Sequence, residues 1–249
     1  MSLKKCVYEL LFPPKCPGCG ELMRLDTVDG SAVRLCGKCE AEWEQSRLAQ
    51  CPNCFAAYYD CTCAPHVLTQ AGCAALVKAV PYGEERELRI VRRILLNAKH
   101  RPNVRETAFL AQNVKELLLK TLAESEQKTP ISHTVMAHLP RTKRNFRTYG
   151  FDQAARLAKA VSRLTDVPYV RLLRRLNDGH EQKKLTLRAR RTNVKGVFAV
   201  RSDVAGKRVI LVDDIVTTGA SMAEAVRALK GAGAAEIVCL CVAATRKQK

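Results

Sequence analysis

The residues best placed to do chemistry are in VILVDDIVTTGAS, Val209 to Ser221. Val209, Ile210, Leu211 and Val212 are apolar, Asp213 and Asp214 are adjacent acids, and Thr217, Thr218, Gly219, Ala220 and Ser221 form a small-residue loop. The apolar run reads as a buried strand, which puts both carboxylates at its carboxyl end. There they can accept hydrogen bonds from the paired hydroxyls of a ribose. Gly219 allows close backbone approach, and Ser221 is a natural helix N-cap. Free amides at a helix start, with the positive helix end behind them, make a phosphate cradle. Two acids for hydroxyls beside a cradle for one phosphate describe a 5-phosphoribosyl site. The plain structural alternative is an acidic turn leading into a helix.

A second chemistry lies in the cysteines, eight of the chain's twelve falling between residues 16 and 63. Cys16 and Cys19 form one C-x2-C pair, and Cys36 and Cys39 form another after a 16-residue gap. Two such pairs complete a tetrahedral site, and this spacing fits a structural Zn2+ in a zinc ribbon or similar module. Cys51, Cys54, Cys61 and Cys63 are less regular, because the last two are one residue apart. They read as a second Zn2+ site, as a site in which His66 replaces Cys63, or as packing thiols. Cys6, Cys73, Cys239 and Cys241 sit in apolar surroundings and read as core.

The charge is uneven. Residues 1–70 hold seven Lys/Arg against eight Asp/Glu, whereas residues 141–195 hold sixteen against four, within a formal net charge of +18. Such a field draws polyanions, or else is a solvated face. In RTKRNFRTYGF, Arg141, Lys143, Arg144 and Arg147 alternate with Phe146, Tyr149 and Phe151, the mix of cations and flat rings that tracks a single strand. Phe146 and Phe151 serve equally well as core anchors. Lys183, Lys184, Arg188, Arg190 and Arg191 extend the cationic length. The opening residues lack the order of a secretory signal, and no apolar run spans a bilayer, so a cytoplasmic protein without stable membrane insertion is expected.

These residues need a scaffold. Periodicity predicts strands over residues 74–82, 134–140, 207–215 and 236–245. Helices are expected over 84–99, 104–125, 151–164 and 221–234, with Leu88, Val91, Ile94 and Leu95 on the apolar face of the first and Asp152 favouring the start of the third. This alternation predicts an α/β fold, a parallel sheet covered by helices on both faces. Its ligands belong at the carboxyl ends of the strands. The expected division is a cysteine-rich module over 1–70 and a larger domain over 71–249.

At this point a resemblance carries further. VILVDDIVTTGAS resembles the PRPP-binding motif of type I phosphoribosyltransferases at all thirteen positions. The order of parts, from the cysteine pairs through VPYGEE…LLNAKHRP, LPRTKRNFRTYGFDQAARLA and QKKLTLRARRTNVKGVF to that motif, resembles the ComF (ComFC) competence family over nearly the full chain. The resemblance implies a zinc-ribbon module fused to a phosphoribosyltransferase-like domain that handles single-stranded DNA during natural transformation. It implies Mg2+ with PRPP, ribose contacts from Asp213 and Asp214, and 5-phosphate contacts from Thr217 to Ser221. Arg141, Thr142, Lys143 and Arg144 become the pyrophosphate loop. Gln182, Leu185, Arg188, Arg191 and Asn193 match an Arg-rich family signature. A competence helicase is the implied protein partner. The chain departs from the family at Tyr149, where a basic residue is common, and in the C-x-C of Cys61 and Cys63. The residues support a DNA-handling module or a phosphoribosyltransferase acting on a small acceptor.

Overall fold

The computed structural model describes residues 13, 15–23, 33–100, 104–124, 130–176 and 197–246, with backbone alone at 143–145. In chain order, helices α1 (Gly37–Leu48) and α2 (His66–Gln70) precede strand β1 (Ala75–Tyr82). Helices α3 (Arg89–His100) and α4 (Val104–Glu124) lead to β2 (Thr134–His138). Helices α5 (Lys143–Tyr149) and α6 (Gln153–Thr165) then lead to β3 (Leu173–Arg175) and β4 (Phe198–Val200). The chain ends in β5 (Arg208–Val212), β6 (Ile215–Val216), α7 (Ala220–Gly231) and β7 (Glu236–Thr245). β1, β7, β5 and β2 lie side by side in that order, all parallel, with β6 also on β7. β3 and β4 form a separate antiparallel pair.

The strands are mostly apolar because both faces of the sheet are covered, and the polar residues within them, Lys78, Thr134, His138 and Arg208, are buried. Side chains alternate between two cores, as the pleat requires. Val77, Ile210, Val212, Val238 and Leu240 pack with α3, α4 and α6 on one face. Leu76, Val209, Leu211, Ile237 and Cys239 pack with α7 on the other. Cys73, Cys239 and Cys241 are buried there, as expected; Cys6 lies outside the described residues.

The cysteine-rich segment joins both cores. Trp43 fills the first, edge-on to Phe109, and its indole N–H donates to Asn113 Oδ1 at 2.8 Å. Tyr58 fills the second, and its hydroxyl donates to the Ala244 carbonyl at 2.8 Å. β1 is an edge strand, and this segment covers it: the Leu76 amide donates to Thr62 O at 3.1 Å. A parallel edge left open would invite pairing with another chain.

Expected boundaries shift: the helix expected over 84–99 starts at Arg89, and the strand expected over 134–140 stops at His138. The strand expected over 207–215 stops at Val212 and resumes at Ile215. The Asp214 amide donates to Asp213 Oδ1 and the Ile215 amide to Asp214 Oδ1, each at 2.9 Å. These local bonds compete with the ladder and break the strand. The helix expected over 221–234 runs from Ala220 to Gly231, and Gly233, at φ +89°, turns the chain toward β7.

One buried ion pair ties β5 to β7. Arg208 is fully buried, and its Nε lies 2.7 Å from Glu236 Oε2, opposite it in the ladder. Removing one partner strands the other charge away from water. Glu236→Ala is therefore expected to cost about 3 kcal/mol of stability, read as a lower guanidinium midpoint at unchanged slope.

Candidate functional site

Asp213 and Asp214 emerge from a strand with no solvent-facing side, so the first positions able to meet a ligand are these two acids. The Asp213 amide still bonds the Leu240 carbonyl at 2.9 Å, which holds the pair against β7. Desolvation and the neighbouring Asp214 raise the Asp213 carboxyl well above the usual carboxylate range. Two anions crowded in this way are relieved by hydrogen-bond donors or a cation.

Part of that relief is built in. Arg141, at the carboxyl end of β2, donates from Nη2 to Asp214 Oδ2 at 3.4 Å and to Gln153 Oε1 at 2.9 Å. Its second terminal nitrogen, Nη1, is buried without a protein partner. Asp152 caps α6 as expected, accepting from the Ala155 amide at 3.0 Å, and its other oxygen accepts from the Arg141 amide at 3.2 Å. One carboxylate thus sets both the helix start and the loop backbone.

The glycine loop faces the same edge of the sheet. Gly219 sits at φ +76°, and a Cβ there would lie 3.2 Å from Leu68 Cγ and 3.3 Å from Val67 Cγ1. Only glycine meets both demands. It is Gly219, and not Ser221, that caps α7; Ser221 lies inside the first turn because the left-handed turn at Gly219 starts the helix two residues earlier. The first i→i−4 bond runs from the Ala223 amide to Gly219 O at 2.8 Å, leaving the preceding amides ahead of the helix ladder. Of these, Ala220 N–H is shared with Thr218 Oγ1 at 3.4 Å. Thr245 Oγ1 donates to Thr217 O at 2.8 Å, anchoring the loop to β7. Thr217, Thr218, Ala220 and Ser221 are exposed. The fold therefore joins Asp213, Asp214, the Thr217–Ser221 loop and Arg141 in one region.

The expected pyrophosphate loop is shorter than its sequence span, since Lys143 and Arg144 already belong to α5, which opens with Phe146 N–H donating to Thr142 O. Arg147 is exposed on α5, and Phe146 is 51% exposed, so Phe146 is not a core anchor. Phe151 is half-buried under the Arg156 guanidinium. The Arg144 side chain and Lys183, Lys184, Arg188, Arg190 and Arg191 lie outside the described residues, as do Gln182, Leu185 and Asn193. His138, which its sequence context marks only as a surface or core residue, is buried beside the expected pyrophosphate loop. The Tyr169 hydroxyl meets its Nδ1 at 2.8 Å, and its Nε2 lies 3.8 Å from Asp152. Burial pushes the His138 imidazole down, against the pull of Asp152. No sequence signal marks this contact, because Tyr169 lies 31 residues away.

The cysteines form two groups, each with its four sulfurs within 4.8 Å of one another. In the first, the Lys15–Leu22 bridge closes a knuckle around Cys16 and Cys19, while Cys36 caps α1 and Cys39 lies in its first turn. Cys16 Sγ accepts from the Gly18 and Cys36 amides at 3.4 and 3.2 Å. The Cys19 and Cys36 sulfurs are 3.6 Å apart. That matches the edge of about 3.8 Å expected for a tetrahedron with metal–sulfur bonds near 2.3 Å.

The second group is Cys51, Cys54, Cys61 and Cys63, so the C-x-C spacing brings both of its sulfurs in and His66 stays outside the cluster. Cys63 N–H donates to Cys61 Sγ at 3.3 Å. Burial pushes the Cys61 thiol up to about 12, although Lys78 opposes it. Lys78, only 1% exposed on β1, donates to the Cys61 and Cys63 carbonyls at 2.7 and 2.8 Å and to Cys61 Sγ at 3.4 Å. A cation buried beside one thiol of the group would offset part of the excess negative charge of a tetrathiolate centre. Both groups fit a thiophilic, tetrahedral metal closed by four protein ligands, a structural arrangement rather than a catalytic one.

Residues 150–249 match the phosphoribosyl transferase domain family. Competence protein F of Haemophilus influenzae is 33% identical over 92 residues, covering 35% of this chain and 40% of its own length. DNA utilization protein YhgH of Escherichia coli is 29% identical over 136 residues, covering 53% and 60%. Competence protein ComFC of Bacillus subtilis is 34% identical over 110 residues, covering 44% and 43%. The chain thus spans about half the length of the named relatives it matches. No described helix is long and apolar enough to cross a membrane. The fold is that of type I phosphoribosyltransferases, a parallel sheet flanked by helices with the acidic pair and glycine loop at its carboxyl edge. The chain is similar over part of its length to proteins named for competence, Competence protein F and ComFC, and its residues 150–249 match the phosphoribosyl transferase domain family.

Proposed function

We propose that this protein binds single-stranded DNA during natural transformation, in the cytoplasm, on a scaffold that also holds PRPP or a related phosphoribosyl ligand. The observation that carries the reading is a juxtaposition. The site of Asp213, Asp214, Arg141 and the Gly219 loop adjoins α5, where Phe146 and Arg147 stand exposed. In this reading Asp213 and Asp214 accept from the ribose hydroxyls. The amides of Thr218 to Ser221 receive the 5-phosphate, and Arg141 meets the pyrophosphate with its free Nη1. Mg2+ would arrive with PRPP and neutralise its pyrophosphate. Structural Zn2+ in both cysteine groups would hold the N-terminal segment, and a competence helicase, implied by the family resemblance, would be the protein partner.

The second reading is a phosphoribosyltransferase acting on a small acceptor. It is favoured by the same acidic pair and by Arg141, which would stabilise departing pyrophosphate. The two readings separate experimentally. A labelled single-stranded oligonucleotide, followed by fluorescence anisotropy across a salt series with and without Mg-PRPP, is expected to bind with steep salt dependence and to respond to PRPP. No binding at moderate salt overturns the DNA reading. Pyrophosphate release with an acceptor, lost in Asp213→Ala, would then identify an enzyme.

A further inference from the structure

The sequence locates the basic excess in residues 141–195, but the fold exposes another cationic surface. Between Arg86 and His100 there are five Lys/Arg and one acid, Glu87. α3 buries Ile90, Val91, Ile94, Leu95 and Ala98 against the core, so its basic residues are forced to the opposite side. Arg86, Arg89, Arg93 and Leu96 recur at helical spacing and are exposed, with Leu96 at 42%. With Arg92 they line a groove of about 380 Å³, whose near end is formed by Glu84 and Glu85 after β1. Arg89 and Arg93 also line a second cavity of about 170 Å³ with Lys38, Glu21, Glu42 and three cysteines of the first group, Cys19, Cys36 and Cys39. Among the described residues, the guanidiniums of Arg86, Arg89, Arg92 and Arg93 make no ion pair or hydrogen bond. Four unpaired guanidiniums along a groove await an anionic partner.

The two ends of α3 define the route. Near its start, Ile90 packs so closely on the first cysteine knuckle that a Cβ on Gly18 would lie 2.7 Å from Ile90 Cδ1. At its end, the His100 ring meets Tyr149 edge-on at 5.3 Å and Lys99 Nζ lies 5.6 Å from the Tyr149 centroid. The Arg141 guanidinium lies 5.5 Å from that same ring. Tyr149 is thus shared between α3 and the arginine that bonds Asp214. A helix of 12 residues spans about 18 Å, so α3, which carries the groove, runs from the first cysteine knuckle to the Tyr149 ring beside Arg141.

We infer that the Arg86–Arg89–Arg92–Arg93 groove along α3 is a track for the phosphodiester backbone of a single strand, leading toward the Asp213–Asp214 site. This rests on the DNA-binding reading and assigns it a surface. The guanidiniums take successive phosphates and Leu96 offers apolar contact to a base. Tyr149 and the neighbouring Phe146 supply stacking where the strand reaches the site. A phosphate track needs charge without sequence-specific hydrogen bonding, which a row of arginines at one helical face provides.

The test is anisotropy with a fluorescein-labelled oligothymidine and the full chain, over a salt series. Three variants are compared with the parent: Arg89→Ala/Arg93→Ala, Arg89→Lys/Arg93→Lys, and Arg163→Ala/Arg201→Ala, which removes the same charge from exposed positions outside the groove. Each lost phosphate contact lowers the log–log salt slope by about 0.7 for a single strand. The first variant is expected to lose about 1.4 in slope and to bind roughly ten-fold or more weakly near 100 mM salt. The lysine variant should keep most of the slope, and the control pair should match the parent. Equal losses in groove and control variants overturn the track while leaving DNA binding intact. Failure of the parent to bind overturns both readings. Loss of binding to phosphatidylglycerol vesicles, with oligonucleotide binding unchanged, would reassign the groove to a membrane surface.

Discussion

Stripping metal from the cysteine groups is expected to unfold the N-terminal segment and destabilise the whole chain. A structural tetrathiolate centre contributes apparent binding energies of about 10 kcal/mol or more, as large as the total stability of an ordinary domain. Here that energy would be coupled to the sheet. Trp43 and Tyr58 belong to the two cores, and the segment covers the edge of β1. The chain has a single tryptophan, 1% exposed and hydrogen-bonded to Asn113, so its emission reports directly on the first centre. Excess chelator should shift that emission to the red, lower the melting temperature by more than about 10 °C and promote aggregation through the uncovered edge. Cys39→Ser should do the same without chelator. Metal analysis of the purified chain should return two ions. An unchanged emission spectrum and melting temperature in Cys39→Ser would remove the metal from the account of this fold.

The second large effect concerns the acidic pair. Asp213→Asn and Asp214→Asn should each weaken PRPP binding about 10- to 100-fold, the loss of one or two charge-assisted hydrogen bonds. The two should differ in stability. Desolvation and Asp214 raise the folded-state Asp213 carboxyl, so its ionised form disfavours folding at neutral pH. Stability from such a group is fully present below the unfolded carboxyl value of about 4 and is lost as pH rises toward the folded value. Asp213→Asn should therefore melt higher than the parent at pH 7, with the gain vanishing as pH falls below about 4. Asp214→Asn loses the Arg141 contact and should show no such gain. Calorimetric titration with Mg-PRPP and melting curves at the two pH values check both parts. Unchanged affinity in Asp213→Asn would move the ribose elsewhere.

Much of this protein was legible before folding was considered. VILVDDIVTTGAS announced both its strand and its site, because a run buried on both faces must be apolar and the first polar residues must fall at its end. C-x2-C pairs carry their geometry in their spacing, so the first cysteine centre needed no tertiary information. The second did, since a C-x-C pair closes only where the chain bends correctly, and β1 supplies the buried Lys78 beside it from 15 residues away. The same holds for Arg141 on Asp214, 73 residues apart, and for Tyr149 between α3 and the site. Periodicity ranks residues as inward or outward; it does not say which outward faces share a groove. Nothing in the sequence of α3 says that the first cysteine knuckle packs at one end of the helix and Tyr149 at the other. Local sequence determined the chemistry of each part, because propensity, burial pattern and ligand spacing act over a few residues. Packing of the helices and the cysteine-rich segment against one sheet decided which parts meet, because those contacts join residues that only the finished fold brings within reach.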